Sequence, residues 1–226
     1  MAQIILQNKA NIDFEKEYFE DILTYAKLPD GKICLILSDN YLPENNQGVC
    51  IPSQLIRFDF LYNDLCSCGL SWDCCVAISK KWCDLRNKFP AYFTYLIGHE
   101  FGHAAVCLSD ITLHIHCCIV HDFIKPASNG IIEFPHELPH EQLFDQFGKY
   151  LAAKLYGAEK LHNEIEVINS DAILAERNHL DLIKNLSESN NYSDLRKNLI
   201  DFSIPYRDEL IKYWKRYCAK WQKFIG

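Results

Sequence analysis

His99-Glu100-Phe101-Gly102-His103 is the stretch of this chain whose residue types and spacing can do chemistry. On a helix, positions four apart lie one above the other on the same face. His99 and His103 can therefore bring two imidazole nitrogens to one metal ion. Glu100 stands beside them, placed to take a proton from a water held by that ion. Between Ala91 and Leu108 most other side chains are apolar or small, among them Phe93, Leu96, Ile97, Phe101, Ala104, Ala105 and Val106. A helix that is apolar all round is a buried helix. Two histidines and a glutamate inside it are costly without partners, and a cation is the economical partner. Gly102 costs about 1 kcal/mol against Ala in a helix interior, and its small size lets another backbone or a substrate come close.

A catalytic zinc takes three protein ligands and keeps a fourth position open. The spacing HExxHxxGxxH would put the third ligand at Ser109 and its glycine at Val106, and neither fits. His114, His116 and His121 follow on a segment that can pass near the ion. Glu141 opens a second apolar-periodic stretch and has the better case. Glu141-x-x-x-Asp145 offers a ligand and, one turn on, a carboxylate that can accept the free N–H of a zinc-bound histidine. Glu141, Asp145, Gly148 and Ala152 share one stripe, two carboxylates followed by two very small residues. Such a face suits a helix pressed against the metal helix.

HExxH followed by ExxxD on a later helix resembles the gluzincin zinc peptidases. The string carried by Glu141, Phe144, Asp145, Phe147, Gly148 and Leu151 is similar to the E-x-x-A-(N/D)-x-F-A-x-x-L pattern of the short ImmA/IrrE-like gluzincins, with Phe144 and Gly148 where that pattern has alanines. The resemblance spans about residues 90–157. It implies a zincin-like fold with one catalytic zinc ion held by His99, His103 and Glu141, Glu100 as general base, and Asp145 orienting a ligand histidine. It also implies a cytoplasmic regulatory protease acting on a protein partner. In this class the substrate adds as an extended strand to a sheet edge beside the metal helix, and Asp73 to Ser79 is the candidate for that edge. One of His114, His116, His121, His136 and His140 can stabilise an oxyanion.

The remaining elements must position this site. Asp13 can cap a helix to about Lys27, with Phe14, Tyr18, Ile22 and Tyr25 on one stripe. Lys32–Leu37 reads as a buried strand, residues 40–52 as a loop, residues 54–62 as a half-exposed strand, and residues 73–79 as another strand. Pro90 suits the start of the metal helix. Alternation from Leu113 to Phe123 predicts a strand, paired through a turn at Asn129-Gly130 with residues 131–134. Pro139 starts the second helix and Gly157 ends it. Beyond it, Leu161, Ile165 and Ile168 share a helical face, Asp171 can cap a further helix, and Pro205 starts a last one carrying Leu210, Trp214, Tyr217, Trp221 and Ile225. That last helix is locally basic (Lys212, Lys215, Arg216, Lys220, Lys223), which reads as a solvated face over a Trp-bearing core stripe.

The 226 residues are ample for a core. With 49% hydrophobic and 23% charged residues the chain is globular rather than disordered. A net charge of −7 argues against a nucleic-acid-binding body. No signal peptide or apolar run of about 18–20 residues is present, so no membrane span is expected. The eleven cysteines are odd in number and partly adjacent, and they read as reduced thiols of a cytosolic protein, housekeeping or delivered into a foreign cytosol as an effector. Cys66, Cys68, Cys74 and Cys75 lack the paired spacing of a structural zinc site. The expected fold is α+β: a small, mostly antiparallel sheet on the HExxH helix, the ExxxD helix behind it, a catalytic domain over 1–157 and a helical extension over 158–226. The expected function is a zinc-dependent endopeptidase with a protein or peptide substrate. The alternative is a non-catalytic, zinc-stabilised regulatory protein that binds a partner through its C-terminal helices.

Overall fold

The computed structural model describes residues 2–8, 16–37, 48–53, 72–118, 139–169 and 178–188. Eleven elements follow in order: β1 (Gln3–Asn8), α1 (Lys16–Ala26), β2 (Lys32–Leu37), β3 (Gly48–Pro52), β4 (Cys74–Ile78), α2 (Lys80–Asp84), α3 (Pro90–Ser109), α4 (Ile111–Cys118), α5 (Pro139–Tyr156), α6 (Ala158–Ile168) and α7 (His179–Glu188). The class is α+β, as the sequence pattern predicts, with one four-stranded sheet in the order β1-β2-β4-β3.

The sheet departs from the expected mostly antiparallel arrangement. β1 and β4 both run parallel to β2, and only β3 is antiparallel to its neighbour β4. The reason is the connection. α1 lies between β1 and β2 and carries the chain back to the starting end, and such a crossover makes its two strands parallel. β2 and β4 are continuous apolar runs buried on both faces, as expected of inner strands. Residues 73–79 therefore supply an interior strand, not an edge. Among the described residues the edges are β1 and β3, and β3 is the one beside β4, inside the stretch 40–52 that reads as a loop; Gly48-Val-Cys-Ile-Pro52 is a short apolar run between two turn residues. The expected strand at 54–62 lies outside the described residues.

α3 is the organising helix. Fourteen of its residues are buried. One side, with Phe93, Ile97, Phe101, Ala104 and Ala105, packs with Ile33, Leu35, Leu37, Val76 and Ile78 of the sheet. Another, with Ala91, Tyr92 and Leu96, packs with Ala152 and Ala153 of α5, Leu161 and Ile165 of α6 and Ile183 of α7. At its N-terminus the N–H of Tyr92 donates to Glu164 Oε2 at 2.8 Å, a cap supplied by α6. On α1 the buried stripe is Phe19, Ile22 and Ala26, while Tyr25 is 40% exposed.

The segment after α3 is a correction. Leu113 to Cys118 belongs to helix α4, not to a strand. Asp110 decides this: its carboxylate accepts the Leu113 N–H at 3.1 Å and its carbonyl the His114 N–H at 3.1 Å, which closes the first helical turn. That local cap outweighs a two-residue alternation that a short helix also tolerates. The predicted hairpin partner and tip, with His121 and His136, lie outside the described residues, as does the helix expected from Pro205; of the helix expected from Asp171, the part with Leu180, Ile183 and Leu186 is α7, and its start lies outside them. Cys74 and Cys75 sit on opposite faces of β4, in different clusters. Consecutive strand residues point apart, so this pair does not converge on one ion. Cys34, Cys50, Cys74, Cys75, Cys83 and Cys107 are buried free thiols. No helix among the described residues is long and apolar enough to cross a membrane.

Candidate metal centre

α5 lies along α3 at unusually close range, and glycines make the approach possible. A Cβ on Gly148 would stand 2.5 Å from the Tyr95 carbonyl and 2.9 Å from the His99 nitrogen. A Cβ on Gly98 would stand 2.7 Å from the Gly148 Cα. Real Cβ atoms do not come so near backbone, so the two helices meet glycine to glycine. Gly102 receives Phe144, a ring of the neighbouring helix rather than a substrate. The contact brings the head of α5 over the paired histidines of α3.

The result is the triad that the sequence singles out. Donor atoms of His99, His103 and Glu141 all lie within 4.8 Å of one another. His99 Nε2 is 3.2 Å and His103 Nε2 3.6 Å from Glu141 Oε2. Four ligands at about 2.0–2.1 Å around a tetrahedral ion are separated by about 3.3–3.4 Å, so the spacing fits one ion shared by the three. The side chains keep 20%, 15% and 16% exposure, which leaves a path to solvent. These residues can bind a metal ion.

Asp145 stands one turn beyond Glu141, its Oδ1 2.8 Å from His99 Nδ1. A carboxylate can only accept, so the Nδ1 proton points at Asp145 and Nε2 faces the triad. Burial opposes charging His99, but the hydrogen bonds of Asp145 and Glu141 outweigh it and hold the imidazole well above its ordinary range. Burial likewise pushes Asp145 up, while the His99 hydrogen bond and charge and the Tyr95 hydroxyl pull it below the usual carboxylate range.

Glu100 is 8% exposed and points toward the sheet. A Cβ on Gly48 would meet Glu100 Oε1 at 2.8 Å and its Cγ at 2.9 Å. The carboxylate thus lies against β3. His114, expected on a solvated or cleft-facing strand, is instead fully buried on α4. Its Nε2 donates to the Cys50 carbonyl at 3.3 Å, and its ring stands edge-on to that of His103, centroids 5.7 Å apart. It is not a ligand. His116 and His140 belong to α4 and α5, but their side chains lie outside what is described.

Two participants escape a reading by motif. Tyr95 donates its hydroxyl to Asp145 Oδ1 at 2.8 Å, sharing that oxygen with His99. Its place one turn before His99 on the same face was the available signal. Gly48 was hidden because its strand reads as loop. No protein-family model matches the chain, and no curated protein and no solved structure matches it significantly.

Proposed function

We propose that the protein is a zinc-dependent endopeptidase that cleaves a peptide bond in a protein substrate. Two imidazoles and a carboxylate form a donor set suited to zinc, whereas calcium and magnesium favour oxygen alone. His99, His103 and Glu141 would hold one zinc ion, with Asp145 fixing the tautomer of His99. A zinc ion held there would supply a Lewis acid for the scissile carbonyl and would bring the acidity of a water close to neutrality. Glu100 takes the proton of that water and later delivers it to the leaving amine. Its burial beside Gly48 strips it of bulk water and keeps it within reach of a bond lying along β3. An extended substrate segment adds to the outer side of β3, the edge of the described sheet. The resemblance to ImmA/IrrE-like gluzincins, with their regulatory protein targets, points the same way.

The observation that carries this reading is Glu100. A site serving only stability has no use for a nearly buried carboxylate beside the ligands and the edge strand. Glu100→Gln is expected to keep the metal, the fold and the thermal transition while abolishing cleavage. The measurement is a proteome-wide comparison of new N-termini generated by wild type and by Glu100→Gln. Identical fragment sets from the two would contradict the proposal and favour a non-catalytic, metal-stabilised binding protein.

A further inference from the structure

His114 is a buried polar side chain beside the site that the proposed chemistry does not use. Its imidazole bridges two parts of the site. A carbonyl oxygen cannot donate, so the 3.3 Å contact with Cys50 requires the proton on Nε2. In an interior that excludes water, losing this donor leaves a buried carbonyl with one partner fewer. On the other side the same ring lies against His103, at an interplanar angle of 69°. Gly48 and Cys50 are two apart on β3 and so share the face toward α3. Gly48 lies on Glu100, and Cys50 is held by His114. Among the described residues β3 has a neighbour on one side only, β4, and such an edge strand is otherwise the easiest of a sheet to open.

We propose that His114 is a positioning residue. Its Nε2–H fastens edge strand β3 to α4 through the Cys50 carbonyl while its ring backs His103 of the metal helix, so one side chain sets the strand and the ligand together. Holding β3 follows from the contacts alone. The consequence for cleavage, a strand held in register to receive substrate over Glu100, rests on the metallopeptidase reading above.

The test compares full-length wild type, His114→Gln and His114→Met by amide hydrogen exchange resolved over β2, β3 and β4, with and without added zinc. Gln keeps an N–H donor and Met has similar length without one. The expected result is wild-type protection of β3 in the Gln variant and about tenfold faster exchange of β3 in the Met variant, with β2 unchanged. Zinc is expected to slow β3 further in wild type and not in the Met variant. Equal β3 exchange in the two variants, or a rise spread evenly over all three strands, overturns the proposal. Should the Met variant not fold, the side-chain nitrogen spectrum of wild type decides: a slowly exchanging Nε2–H on His114 supports it, and a proton on Nδ1 overturns it. Zinc content of the same samples separates the two failures. Absence of bound zinc sinks the function while the metal-free exchange still judges His114.

Discussion

Two donors meet at one oxygen of Asp145: the His99 ring at 2.8 Å and the Tyr95 hydroxyl at 2.8 Å. A carboxylate anchored twice cannot swing away from the ligand it orients. Asp145→Asn is expected to lower metal affinity about 10–100-fold, the range seen when the partner of a metal-bound histidine is lost. Tyr95→Phe keeps the ring that packs on Gly148 and is expected to cost less, about 3–10-fold by the same reasoning at one remove. Cobalt titration in competition with a chelator measures both, and equal affinity in all three proteins would show that Asp145 does not act on His99. At this scale most of the centre was legible. HExxH and ExxxD carry their spacing in the sequence because each lies within one helix, where distance along the chain fixes distance in space. The roles of His114 and Gly48 were not, since each depends on which distant segment folds beside it.

Among the elements, the glycine positions separate two kinds of contact. At Gly148 an added methyl meets backbone of α3, which cannot yield, and at Gly48 it meets only side chains, those of Glu100 and Ile78, which can turn aside. Gly148→Ala is expected to cost about 1–3 kcal/mol by overpacking and to weaken metal binding, because α5 and its Glu141 are pushed off. Gly48→Ala is expected to leave stability and metal content near wild type but to displace Glu100 and suppress cleavage. Thermal melts with metal analysis check the first pair of effects, and the comparison of new N-termini checks the last. The helices were read well where a proline start or a long apolar period marked them, as in α3 and α5. α4 was missed because a single Asp110 cap outweighs alternation over a few residues. The sheet direction was missed because it depends on what the crossover does, and no strand carries that information in its own residues.

For the whole molecule, a metal ion held by His99, His103 and Glu141 would tie α3 to α5, and those two helices join the sheet cluster to the helical cluster. The apolar clusters on either side do not depend on the ion. Chelation at neutral pH is therefore expected to leave a folded protein whose transition falls by about 5–10 °C, corresponding to about 2.7 kcal/mol for a ligand present at a hundred times its dissociation constant. Calorimetry before and after dialysis against a chelator checks this, and complete unfolding would mean that the ion, not the core, holds the fold. The globular character was open to view in composition. A substrate would not be, because its selection would rest on surfaces built from separate segments, not on a local motif.

The central claim is that Glu141 completes the ligand set begun by His99 and His103. It is tested most directly by elemental analysis of purified wild type, Glu141→Ala and Glu100→Gln. About one zinc per chain is expected in wild type and in Glu100→Gln, and a small fraction of that in Glu141→Ala. Full zinc in Glu141→Ala, with loss instead in His114→Ala or His116→Ala, would contradict it.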